Sequence, residues 1–101
     1  MDEIQELSEI YKALSDPTRL RLIKLLNDHQ GALCVNALAH KLGVTQSAVS
    51  QHLRVLRQAD LVAANRHGAS VHYSFNKDRL SVHNELARIT LGESFSHMAE
   101  E

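Results

Sequence analysis

Two amphipathic segments joined by only Gly43-Val44-Thr45 constrain this chain more than any other feature. The first segment carries Ala37, Leu38, Ala39 and Leu42, and Asn36 is placed to cap its start. Gly43 is the residue type that ends a helix most readily, because it enters the left-handed region without a Cβ penalty. Thr45 can then cap a second helix, in which Val49, Leu53 and Leu56 fall at i, i+4 and i+7 on one face. The opposite face carries Gln46, Ser47, Ser50, Gln51 and Arg54. Two helices meeting across so short a Gly-containing turn, with the second polar on its free side, form a helix-turn-helix pattern.

The flanking segments extend that pattern to a complete domain. Ile4, Leu7, Ile10, Tyr11 and Leu14 recur at helical spacing and predict a first helix over residues 2–14. Asp16-Pro17 restarts the chain as an N-cap followed by proline at the first helical position. Leu20, Leu22, Ile23, Leu25 and Leu26 predict a largely buried second helix, with Gln30-Gly31 closing the connection after it. Leu33-Cys34-Val35 reads as a small strand or an extended lead-in. After Asp60 the period changes from helical to alternating: 61–66 and 69–75 flank His67-Gly68 as a hairpin. A last helix from about Asp78 holds Leu80, Val82, Leu86 and Ile89. The expected fold is mainly α with a small β-hairpin wing, in the order α-α-(β)-α-α-β-β-α, as a single domain over residues 1–101.

Charge distribution indicates the partner. The net charge of −1 conceals a basic middle, since residues 12–72 hold eight Lys or Arg against Asp16, Asp28 and Asp60. Residues 1–11 hold four acids and no base, and residues 73–101 are also net acidic. Such a middle can present a positive surface to phosphate in spite of the neutral total. Short Ser47 and Ser50 allow close approach to a groove. Gln51 and Arg54 can pair with adenine and guanine edges in bidentate fashion. Gln46, Arg54, Arg57 and the hairpin residues Arg66 and His67 suit phosphate, and His52 suits orienting the contacts around it. The predicted partner is double-stranded DNA.

Residues 43–57, GVTQSAVSQHLRVLR, together with 13–19, ALSDPTR, resemble the ArsR/SmtB family of bacterial and archaeal repressors. Leu33-Cys34-Val35, Asp60-Leu61-Val62 and Arg66-His67-Gly68 resemble that family's lead-in to the third helix and its wing. The resemblance spans roughly residues 9–80. It implies a homodimer through the first and last helices, bound to an inverted-repeat operator and repressing until an inducer arrives. Leu7, Tyr11, Leu80, Leu86 and Ile89 are the residues expected at the dimer interface, because a small four-helix core cannot cover both terminal stripes.

The sequence departs from the family's metal sensors. Where one family site has a Cys-x-Cys pair, this chain has Cys34-Val35-Asn36, and an amide binds soft metals poorly. On the last helix, Ser81-Val82-His83 and Ser94-Phe95-Ser96-His97 place serines where ligands belong. No metal or cofactor is therefore expected within one subunit, and the inducer is open. Cys34 reads as a small buried hydrophobe, as an effector thiol or as a ligand completed by another residue across the dimer, and a single cysteine excludes a disulfide within one subunit. That lone cysteine, the lack of a signal peptide and apolar runs far short of about 20 residues predict a cytoplasmic protein that does not cross a membrane. No Gly-rich phosphate loop, His-Glu-x-x-His or recognisable carboxylate pair points to an enzyme. The competing reading is a winged-helix module for protein–protein contact, against which the polar, basic helix face argues.

Overall fold

The structure is a computed structural model, and it describes residues 2–29 and 32–92. The expected connection at Gln30-Gly31 and the Ser94–His97 segment lie outside the described residues. Among the described residues, five helices and three strands follow in order: α1 Glu3–Leu14, α2 Pro17–Asp28, β1 Leu33–Cys34, α3 Val35–Leu42, α4 Gln46–Gln58, β2 Val62–His67, β3 Ser70–Phe75 and α5 Lys77–Leu91. The sheet is antiparallel with order β1-β3-β2. This is the winged helix-turn-helix arrangement that the sequence predicts.

Local chemistry sets most of the boundaries. Asp2 caps α1 by accepting from the Gln5 N–H at 2.8 Å, and Asp16 caps α2 by accepting from the Thr18 and Arg19 N–H groups. At the end of α3, Gly43 lies at φ 67°, with its N–H on the His40 carbonyl and the Val44 N–H on the Ala39 carbonyl. This pair of bonds is a Schellman cap. The same construction closes α4 without glycine: Asp60 sits at φ 64°, and the Asp60 and Leu61 N–H groups reach the Arg57 and Leu56 carbonyls. Gly68 turns the hairpin at φ 63°, between paired His67 and Ser70.

Ile10, Leu22, Leu38, Val49, Leu53 and Leu56 are the largest fully buried side chains and join α1 to α4 in one aliphatic core. Each contributes roughly 1.5–3 kcal/mol by removal from water. Arg79 braces the same core from α5. Its Nε donates to the Ala59 carbonyl at 2.9 Å and its Nη1 meets a Glu6 carboxylate oxygen at 2.5 Å, so one side chain ties α5 to both α4 and α1.

Three expectations need correction. Helix α3 begins at Val35 with Cys34 in the cap position, not Asn36, because the chain passes directly from its pairing with β3 into the helix. Helix α2 is buried on one side only. Its Leu20 is exposed, since five apolar residues between 20 and 26 exceed the width of one helical face. Leu7 and Leu86, expected to face a second subunit, are 4% and 6% exposed and belong to the core of the single chain.

Candidate nucleic-acid interface

The face of α4 opposite Val49, Leu53 and Leu56 is open to solvent. Ser47, Ser50, Gln51, Arg54 and Arg57 are all exposed along it, and the helix carries no carboxylate. Thr45 fixes the start of this helix by accepting from the Ala48 N–H at 3.1 Å. The three-residue turn holds α3 against it, and the Gln46 side-chain amide donates to Asn36 Oδ1. Gln46 is thus engaged in joining the two helices of the motif. The signal for this contact was present in the sequence only as two polar residues ten positions apart.

The hairpin divides the two candidate wing residues. Arg66 pairs with Val71 and shares a face with Ala64 and Tyr73, whereas His67 shares the other face with Asn65 and His72. The rings of His67 and His72 lie 4.7 Å apart with planes 30° from parallel. Tyr73 faces α4. Together with Ser50, Leu53, Arg54, Arg57 and Gln58, it lines a notch of about 430 Å³ between α4 and the sheet. Sequence reasoning missed Tyr73 and Gln58 at this surface, although the alternation of β3 puts Tyr73 on the face of Val71 and Phe75.

His52 is placed differently from its neighbours on α4. It is half-buried, and its Nδ1 points back into the molecule, 3.4 Å from Arg19 Nη1 and 3.9 Å from Asp16 Oδ2. The backbone N–H of Arg19 is the main cause holding the Asp16 carboxyl below its ordinary value of 3.8. The His52 and Arg19 charges and the Thr18 N–H act in the same direction, against the opposing effect of burial.

The effector candidates are not gathered into a site. Cys34 is half-buried on β1, paired with His72 of β3. His83 lies on α5 against the edge of Tyr11, with ring centroids 5.3 Å apart, far along the chain from Cys34. Among the described residues, no group of three or more His, Cys, Asp or Glu side chains could hold a metal ion. Nor is any helix among them long and apolar enough to cross a membrane.

Residues 16–64 match the family described as bacterial regulatory protein, arsR family. An uncharacterized HTH-type transcriptional regulator of Methanocaldococcus jannaschii is 36% identical over 80 residues, covering 79% of this chain and 89% of that one. The chain belongs to the arsR family. The family is one of transcriptional regulators, not of enzymes. A transcriptional repressor SmtB homolog of Synechocystis sp. is 45% identical over 74 residues, 73% of this chain, and the chain spans 54% of that relative's length. Among solved structures, a homodimeric winged helix-turn-helix DNA-binding domain of Mycobacterium bovis, a possible ArsR-family regulator, superposes with a TM-score of 0.70. It is 26% identical, with 85% of this arsR-family chain and 79% of that one covered.

Proposed function

We propose that this arsR-family chain is a sequence-specific DNA-binding repressor that acts as a homodimer on an inverted-repeat operator in the cytoplasm. The observation that carries this reading is the exposed face of α4. It presents Ser47, Ser50, Gln51 and Arg54 with no acidic residue, on a helix anchored by Val49, Leu53 and Leu56. A helix of this width enters the major groove, where glutamine and arginine can discriminate base edges. Arg54, Arg57 and the wing's Arg66 then sit where the phosphate backbone flanks the groove, and phosphate contacts fix register.

The homodimer rests on the terminal helices. Tyr11, Leu80 and Ile89 are exposed, as are Ile4, Val82 and Leu91, which leaves α1 and α5 with an apolar surface the single chain does not cover. An open groove of about 460 Å³, lined by Ile4, Tyr11 and Leu91 among others, runs between these helices. The M. bovis neighbour assembles through two copies. A second copy of this chain is the occupant that fits, since a palindromic site asks for two recognition helices about one helical turn apart. Cys34 is the one candidate thiol for a small inducer.

The test is selection of duplexes from a randomised pool, followed by titration of variants against the enriched sequence. Gln51→Ala and Arg54→Ala each cost on the order of 1–3 kcal/mol there if the side chain reads a base. A folded protein that enriches no sequence, or whose affinity ignores both substitutions, overturns the assignment.

A further inference from the structure

The junction between α1 and α2 contains a side chain that none of the groove-facing roles uses. The Arg19 Nε donates to the Ala13 carbonyl at 2.6 Å and Nη2 donates to the Lys12 carbonyl at 3.2 Å. These are carbonyls of the last turn of α1, which have no partner within that helix and gather partial negative charge. The guanidinium therefore closes the end of α1 together with Ser15, whose N–H and hydroxyl also donate to the Lys12 carbonyl. The backbone N–H of Arg19, meanwhile, is taken by Asp16, the cap of α2. The remaining nitrogen, Nη1, faces His52 Nδ1 of α4 at 3.4 Å. A guanidinium can only donate, so in this contact the neutral His52 ring accepts at Nδ1, whereas a protonated ring turns the same nitrogen to Asp16 Oδ2, 3.9 Å away. Three helices thus meet at one planar fork, 33 residues from its contact on the recognition helix.

We infer that Arg19 is a positioning residue for DNA recognition, which holds α4 at a fixed angle to α1 through His52. The inference rests on the functional reading above. In a dimer built on α1 and α5, the spacing of the two recognition helices depends on how each α4 is set relative to α1. A small rotation of α4 moves Gln51 and Arg54 off their base edges in both half-sites at once. Phosphate contacts, which are tolerant of register, are affected far less. Lysine at position 19 keeps the charge but cannot serve three acceptors in fixed directions, because its ammonium lacks the planar fork.

The experiment compares native protein, Arg19→Lys, His52→Leu and His52→Asn on two duplexes: the sequence enriched by the native protein and a scrambled duplex of the same length and composition. Circular dichroism and sedimentation first establish that each variant keeps its fold and assembly. Arg19→Lys and His52→Leu are expected to lose about tenfold on the enriched sequence, the size of one mismatched base pair. Affinity for the scrambled duplex stays within about twofold, with an unchanged salt slope, since phosphate contacts set it. His52→Asn retains discrimination, because its Oδ1 stands where Nδ1 accepted. Equal losses on both duplexes, or full discrimination by a folded Arg19→Lys, overturn the inference. If Arg19→Lys does not fold, the contrast between His52→Leu and His52→Asn decides: like behaviour of the two overturns it. A native protein that enriches no sequence overturns the functional reading itself, and that outcome is visible before any variant is made.

Discussion

At the scale of single residues, Asp16 shows how one side chain can serve a helix end and titrate with it. Its carboxylate accepts from the Thr18 N–H at 2.9 Å and the Arg19 N–H at 3.1 Å, bonds that only the ionised form makes fully. The folded value is lowered from the ordinary 3.8. Its contribution to stability is therefore present above that value and is lost as pH falls through the lower folded one. Urea unfolding of native protein and Asp16→Asn gives the check. The stability gap between them is present at neutral pH and closes as pH falls below the ordinary carboxylate range. A gap that persists unchanged into that acid range contradicts the assignment. This cap was legible, because Asp-Pro at a helix start is a local signal. So was Gly43. The left-handed Asp60 was not, since aspartate adopts that conformation only occasionally and nothing in its neighbours marks it. Arg19 was legible as a motif residue, but its bridge to His52 joins residues distant in sequence and can be seen only in three dimensions.

At the scale of elements, the period of apolar residues identified every helix among the described residues and the hairpin, while boundaries shifted where a neighbouring element imposed them. Helix α3 illustrates this: the antiparallel pairs Leu33–Tyr73 and Cys34–His72 end just before Val35, so the strand determines where the helix begins. Asn36, with the better capping side chain, is left to receive the Gln46 amide. The wing shows the converse, a consequence that alternation did make available. Arg66 and His67 are adjacent in sequence and so point to opposite faces of the hairpin. Only Arg66 shares the face that Tyr73 turns towards α4. Arg66→Ala therefore lowers affinity for enriched and scrambled duplexes alike and reduces the salt slope by about one. His67→Ala leaves that slope unchanged. A slope reduced by His67→Ala and not by Arg66→Ala would show that the wing presents its other face to the backbone.

At the scale of the whole molecule, the apolar stripes of α1 and α5 serve two surfaces at once, and the sequence alone could not divide them. Helical spacing marks Leu7, Tyr11, Leu80, Leu86 and Ile89 as equivalent. The fold separates them: Leu7 and Leu86 are buried where α1 meets α5, whereas Tyr11 and Ile89 are 38% and 51% exposed. Substitution by lysine then has opposite meanings at two positions three residues apart. Leu86→Lys places an unpaired charge in the core, a change that costs several kcal/mol and competes with a total domain stability of about 5–15 kcal/mol. It is expected to unfold the chain. Ile89→Lys leaves the chain's own core untouched, so its effect on the folded subunit stays within about 0.5 kcal/mol. It nevertheless sets like charges against each other across a two-fold interface, where every substitution occurs twice. The expected result is a folded monomer at micromolar concentration in sedimentation analysis. Its affinity for the enriched duplex falls, because each half-site is then bound without its neighbour. Retained dimerisation by a folded Ile89→Lys would place the interface away from the outer face of α5, and the uncovered surface of α1 and α5 would then require a different occupant.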